Sequence, residues 1–480
     1  MKRWDLPLEL TPDAAVPLYR QVSLGIVESA RRGRVRPGDR LPSSRGLAKQ
    51  LGIHRNTVLA AYEELRAEGW ITGEVARGTF LSRELPENLA RGAAERPRAL
   101  DRVGFDLRRP ALPPDPRYRA PGLLLLYGGI PELRFLPAAE LSRTFRRALT
   151  AEPGLVDYRD PRGDERLRAA LAELLRSTRG VPALADSMLI TQGAQQCLYL
   201  IARALLKPRD VVAVEELGYS NGWQALRLGG AQLVPVKLDA HGMDVAALEA
   251  LCARRRVRAV LLTPHHQYPT TVTLAAGRRE KLLALARRER IMVIEDDYDH
   301  EFHYEGSPVL PLASHDNAGV VVYLGTMAKV LAPGLRHGYV VAPPPIIERL
   351  TNYRVYVDGQ GAHATERALA MLLEEGVLQR HVARARRAYR ARRDVLCEAL
   401  YRRLPELEFA VPSGGMALWA QVKGINVDGW AKRGMAAGVA FQPGRRYAID
   451  GRFRPSVRLG FAACDEGELR EAVRRMASAR

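Results

Sequence analysis

The chain has 480 residues, with 73 Lys and Arg against 54 Asp and Glu, a net charge of +19. Hydrophobic residues make up 47% and charged residues 26%, a globular balance that excludes disorder throughout and leaves enough apolar surface for large cores. Cys197, Cys252, Cys397 and Cys464 are far apart and form no CxxC pair, which argues against a disulfide scaffold and a thiolate zinc site and for core cysteines. The longest purely apolar runs, such as Leu123 to Leu126, are too short to cross a bilayer, and acids interrupt the N-terminal MKRWDLPLEL where a leader needs apolar residues. The expectation is a cytoplasmic protein with no membrane contact. The positive excess is spread along the chain, so charge alone does not identify a nucleic-acid partner.

In chain order, residues 11–85 read as a helical unit ending in a hairpin. A first helix is expected over 17–32, with Leu18, Val22 and Ile26 on one face and Gly33 after it. Ser43 or Ser44 caps a short helix carrying Leu47, Ala48 and Leu51, and Gly52 turns the chain. Val58, Ala61, Tyr62 and Leu65 then recur at helical spacing up to Gly69. Residues 70–72 and 78–81 pair as two strands. Two helices about a glycine, followed by a β-wing, form a winged helix-turn-helix pattern. In that pattern Arg55, Asn56 and Thr57 enter the major groove of double-stranded DNA, Ser43, Ser44 and Arg45 hold phosphates, and Arg77 at the wing tip reaches a minor groove. The alternative is a small helical dimerisation module. Residues 86–120, rich in Pro, Arg and Ala without apolar periodicity, read as a linker.

Residues 121–480 alternate β-rich runs (188–191, 211–214, 259–262, 291–294, 320–324, 339–341) with helical stretches such as 194–206 and 278–289. That order predicts an α/β fold with a mostly parallel sheet. Three motifs carry chemistry. In GTMAKVLAPGLRHGYVV (325–341), Lys329 follows a buried strand in apolar surroundings, which lower a lysine's pKa and favour Schiff-base formation, and Arg336 is suited to a phosphate. In IMVIEDDYDHEF (291–302) a strand ends in acids at the sheet's carboxyl edge, where ligands bind in such folds. In LITQGAQQCLYLI (189–201) a strand, a glycine and a helix start make an anion cradle. The seven arginines of 380–393 read as the solvated face of a long helix, with Leu378, Val382, Tyr389 and Leu396 facing inward. His265, His266 and His303 lack the spacing of a zinc motif, so no metal is expected.

The segment Leu41-Pro42-Ser43-Ser44-Arg45, Leu47-Ala48, Leu51-Gly52, Arg55-Asn56-Thr57-Val58, Leu65, Glu68-Gly69 and Gly78-Thr79-Phe80 resembles the GntR family of bacterial transcription regulators. His54 stands where that family usually has Ser, and imidazole is a poorer N-cap. Residues 123–480 resemble fold-type I pyridoxal 5'-phosphate (PLP) enzymes of the aspartate aminotransferase class. That resemblance implies that Lys329 bonds the cofactor covalently, Asp296 faces the pyridine nitrogen and Tyr298 lies near the phenolic oxygen. It further implies that Gly193, Ala194, Gln195, Thr326 and Arg336 cradle the phosphate and Tyr219 stacks on the ring. Tyr268 falls where the class usually places an asparagine, Arg458 matches the grip on a ligand carboxylate, and Tyr158 matches a residue that reaches the neighbouring subunit's phosphate. Thr271 replaces a usual glycine, so a different loop backbone is expected there. A GntR-like head on such a body resembles the MocR subfamily. The resemblance implies a head-to-tail homodimer that binds an operator and senses a small amino compound, or PLP itself. A working aminotransferase with an accessory head is the alternative.

Overall fold

The computed structural model describes residues 8, 10, 11, 16–74, 78–86, 103–106, 122–452 and 454–480. Arg77 and most of 86–120 lie outside the described residues. The chain divides into two units, Met1–Asp115 and Pro116–Arg480.

In the first unit, helices α1 (Leu18–Arg31), α2 (Ser44–Leu51) and α3 (Arg55–Ala67) precede strands β1 (Ile71–Glu74) and β2 (Gly78–Leu81). The antiparallel β1–β2 pair matches Ile71 with Leu81 and Glu74 with Gly78. Gly33, Gly52 and Gly69 all take φ near +70° to +80° where helices end, a conformation that costs other residues a Cβ clash. The core is built from Val22, Ile26, Leu47, Val58, Ala61, Tyr62 and Leu65, with Trp70 and Leu81 from the wing. Val58, Ala61, Tyr62 and Leu65 are the buried face of α3, as their spacing dictates.

The second unit holds a seven-stranded sheet of β3 (Met188–Thr191), β4 (Val211–Glu215), β5 (Gln232–Val236), β6 (Val257–Leu262), β7 (Met292–Asp296), β8 (Val321–Thr326) and β9 (Gly338–Val341). Its spatial order is β3-β9-β8-β7-β6-β4-β5. All pairs are parallel except the two made by β9. Helices α4 (Ala194–Leu205) and α5 (Ala276–Glu289) pack on opposite faces, into separate cores. Alternate residues of one strand feed those cores: Ala213, Val260 and Val293 go to one, Val212, Ala259 and Ile294 to the other. Burial on both faces is why these strands read as continuous apolar runs. Strand β5 escaped the sequence reading because QLVPV carries Pro235 and is half open, both traits of a sheet edge.

After the long helix α6 (Val377–Arg403), strands β10 (Leu407–Phe409), β11 (Ala417–Val422), β12 (Gln442–Pro443) and β13 (Ser456–Gly460) form an antiparallel sheet ordered β10-β11-β13-β12. The arginines of α6 depart from expectation. Arg380, Arg384, Arg386, Arg387 and Arg390 are exposed, but Arg392 and Arg393 are buried. Arg392 donates to the Ala462 carbonyl at 2.6 Å and pairs with Glu132 at 3.0 Å, and Arg393 pairs with Glu305 at 2.7 Å. Partners from distant segments, invisible to a helical-face argument, hold both charges inside. Cys197, Cys397 and Cys464 are buried and Cys252 is half-buried; all four are free thiols.

Candidate functional site

The carboxyl ends of β3, β7 and β8 deliver most of the predicted pocket. Lys329 lies in the turn after β8 and is half-buried; its Nζ donates to the Gly129 carbonyl at 2.7 Å. Asp296 closes β7. Burial, reinforced by neighbouring Asp297, pushes its carboxyl up to about 7, while Lys329 pulls it back. The next acid has other work. Asp297 accepts from Tyr323 Oη at 2.6 Å, lies 3.3 Å from Arg179 and 3.2 Å from His300, and these neighbours hold it well below the usual carboxylate range despite burial. Glu295 accepts from the backbone N–H of Leu312 and Ala313, so it fixes a loop.

Gly193 caps α4 with φ +89°, and the first N–H groups of a helix have no acceptor within it. A Cβ at Gly193 would stand 3.5 Å from the Arg336 guanidinium. Arg336 itself donates to the Gln192 carbonyl at 2.8 Å. Thr326 Oγ1 accepts from Ala328 N at 3.1 Å, shaping the turn that presents Lys329. Gly193, Ala194, Gln195, Thr326 and Arg336 thus meet at the ends of β3, β8 and β9.

An aromatic group forms a second wall. Tyr268 packs edge-on against Tyr219 (5.8 Å between centroids), Tyr298 (5.9 Å) and Tyr447 (5.5 Å). The Arg458 guanidinium sits 4.1 Å from the Tyr268 ring centroid. Arg458 is fully buried, its Nη2 lies 3.5 Å from Tyr298 Oη, and its Nε and Nη1 have no hydrogen-bond partner among the described residues. Tyr158 is not in this cluster; it is 93% exposed.

Thr271 corrects one expectation. Its φ of +66° is the left-handed conformation a glycine would take, and its N–H donates to Gln267 O at 2.6 Å. The loop therefore keeps a glycine-type backbone at the strain cost of a β-branched residue.

In the first unit, Ser43 Oγ accepts from Gly46 N at 3.1 Å and caps α2. Tyr62 Oη donates to the Pro42 carbonyl at 2.8 Å, tying that cap to α3. Arg45, Arg55 and Asn56 are exposed, Ser44 and Thr57 are half-buried, and Arg55 Nε reaches Ser44 Oγ at 3.4 Å. These residues share one face. His54 does cap α3: Nδ1 accepts from Asn56 N at 3.2 Å.

The description "Bacterial regulatory proteins, gntR family" matches residues 18–81, and "Aminotransferase class I and II" matches residues 131–476. The chain is 30% identical to the probable rhizopine catabolism regulatory protein MocR of Rhizobium meliloti over 98% of this chain and 95% of that protein. It is 34% identical to the HTH-type transcriptional regulator TauR of Rhodobacter capsulatus over 99% of each. This chain is a MocR-type member of the GntR regulators. Its second unit is also similar to a solved structure, the α-aminoadipate aminotransferase of Thermus thermophilus in complex with N-(5'-phosphopyridoxyl)-L-leucine. That likeness has a TM-score of 0.70 at 30% identity and covers 75% of this chain and 92% of that one.

The MocR-type regulators join a DNA-binding head to a fold-type I body, and the cofactor of that body is PLP. The residues present fit the group. The glycine cradle at α4 suits a phosphate, the buried Asp296 suits a cationic ring nitrogen, and the Lys329 amine lies near enough to Asp296 to pull its carboxyl pKa down. Three contributors escaped the sequence reading. Gly129 supplies the Lys329 acceptor, and a Cβ at Gly128 would collide with Arg458. Tyr447 backs Tyr268 and donates to Gln442 Oε1 at 2.7 Å. The paired glycines right after the apolar run 123–126 were the only available signal; Tyr447 had none.

No helix among the described residues is long and apolar enough to cross a membrane.

Proposed function

We propose that this MocR-type regulator binds its operator through residues 11–85 and senses a small amino carboxylate through PLP held in residues 121–480, with 86–120 as the connection. The observation that carries this reading is Arg458. A fully buried guanidinium with two unpartnered nitrogens over a tyrosine ring is a high-energy arrangement until an anion arrives, and its planar fork matches a carboxylate.

When bound, PLP supplies an electrophilic carbon for amines and an electron-withdrawing ring. Lys329 Nζ would hold that carbon, Asp296 would keep a proton on the ring nitrogen, and Tyr298 would serve the phenolic oxygen. Gly193, Ala194, Gln195, Thr326 and Arg336 would bind the phosphate, and Tyr219 and Tyr268 would pack against the ring. Arg458 would take the carboxylate of an amino ligand and Lys329 Nζ would be the group whose contacts differ between the free and liganded states, and such a difference between states is what lets a ligand shift an equilibrium. In the head, Arg55, Asn56 and Thr57 read bases, Ser43, Ser44 and Arg45 hold phosphates, and Arg77 enters the minor groove. The assembly is a head-to-tail homodimer in the cytoplasm, in which the exposed Tyr158 reaches the partner's phosphate site.

An absorbance titration of PLP-loaded protein with amino acids, amines without a carboxylate and free PLP tests the reading, with keto-acid release measured alongside. A cofactor band that shifts with one class of amino acid, without steady keto-acid release, supports it. Steady release identifies a working aminotransferase instead. A response to free PLP alone identifies the cofactor as the effector.

A further inference from the structure

Strand β6 runs into the segment bearing His265 and His266, and its parallel neighbour β7 runs into the segment bearing His300 and His303. The two pairs are far apart in sequence, but strand pairing brings Leu262 level with Glu295, so both pairs emerge at the same sheet edge. The ligating nitrogens of His265, His266 and His303 all lie within 4.8 Å of one another. The His265 ring is 4.2 Å from His266 and 4.6 Å from His300, centroid to centroid.

The cluster is short of hydrogen bonds. Among the described residues, His265 is 4% exposed with no partner for either ring nitrogen, and His266 is 2% exposed with none for its Nε2. Each orphaned buried nitrogen bears a desolvation cost that nothing among the described residues offsets. His266 is oriented from behind, with Nδ1 2.9 Å from Asp299 Oδ1, the carboxylate–imidazole arrangement that turns the opposite nitrogen into a ligand. His300 Nδ1 stands 3.2 Å from Asp297 Oδ2, at ion-pair distance but without a hydrogen bond. Gly414 packs tightly against the cluster, where a Cβ would collide with His266 Nε2 and the Phe302 carbonyl oxygen.

We propose that His265, His266 and His303 bind one divalent cation of the Zn²⁺ class, with water in the fourth position. Three neutral imidazoles suit a borderline d-block ion and not Mg²⁺ or Ca²⁺, which take oxygen ligands. Tetrahedral Zn–N bonds put ligand nitrogens ~3.3 Å apart, a distance that small side-chain rotations reach from the observed spacing. The ion would staple the segment carrying Tyr268 to the segment carrying Asp296 and Tyr298, the two that frame the cofactor pocket.

The test uses the untagged, PLP-loaded full chain, incubated with Zn²⁺ and desalted. Elemental analysis is expected to find one Zn²⁺ per chain, and Co²⁺ in its place is expected to give visible ligand-field bands. His265→Gln and His303→Gln should each lose the retained metal and the Co²⁺ bands, whereas His241→Gln, at an exposed position, should keep both. Circular dichroism and the cofactor band report whether each variant is folded. Wild type that retains no Zn²⁺, or equal retention by all three variants, overturns the proposal and leaves a water-filled imidazole cluster. If both cluster variants misfold, the Co²⁺ spectrum of the wild type decides: intense four-coordinate bands support the site, and the weak spectrum of aqueous Co²⁺ refutes it.

Discussion

The head and the body place their functional side chains in opposite environments. On the head, Arg45, Arg55 and Asn56 stand exposed on a frame with an apolar core. In the body, Asp296 and Arg458 are buried, one with a raised carboxyl pKa and the other with unpartnered nitrogens. A DNA-reading face meets a large charged partner and gains from solvated side chains and long-range attraction. A small-molecule pocket must discriminate by a few contacts, and buried groups make each contact count. The body's site is therefore the more fragile and the more selective of the two.

The largest expected break of that comparison is Lys329→Ala. It should abolish the cofactor's visible band and the effector response while operator binding persists in a mobility-shift assay; a normal effector response would remove Lys329 from the sensor. Arg458→Ala should weaken carboxylate ligands by about 2–3 kcal/mol, the worth of charge-assisted hydrogen bonds, and leave amines without a carboxylate little changed in the same titration. Equal loss for both classes contradicts the assignment. Arg55→Ala should cost about 1–3 kcal/mol of operator affinity, and Arg45→Ala should instead lower the salt slope by about one, read from footprints across a salt series.

Asp296 sharpens the contrast through pH. Its folded pKa, pushed up to about 7 by burial, exceeds that of an exposed carboxyl, so the folded state binds the extra proton. Its contribution to stability is full below the exposed carboxyl's range and is lost as pH rises through about 7. Cofactor-free Asp296→Asn should therefore outlast wild type in denaturant at pH 8, lose that advantage below pH 4, and still bind PLP poorly. The smallest effects are expected at two backbone positions. His54→Ala should destabilise the head by about 0.5–1 kcal/mol through the lost cap, and Thr271→Gly should change the body's stability by at most about 1 kcal/mol, in the stabilising direction. Both are read from urea midpoints.

The head was legible almost throughout because its signals are local. Gly33, Gly52 and Gly69 end or turn helices within their own segments, and Val58, Ala61, Tyr62 and Leu65 show their burial by spacing alone. His54 was underrated: imidazole Nδ1 caps α3, a matter of rotamer that residue type does not settle. In the body the apolar runs announced the interior strands, while the half-exposed edge strand β5 did not.

By itself, the sequence determined the order of elements and the two-part organisation, because strand, cap and motif signals act over a few residues, while the roles expected of Asp296 and Arg458 came with the resemblance to fold-type I PLP enzymes. Only the tertiary structure decided what Glu295 and Asp297 bind on either side of Asp296, that Gly129 accepts from the lysine, that Arg392 and Arg393 turn inward, and that His265, His266 and His303 converge. Each of these depends on partners far away in the chain, brought together by parallel strand pairing and by the packing of buried charge against its counter-charge.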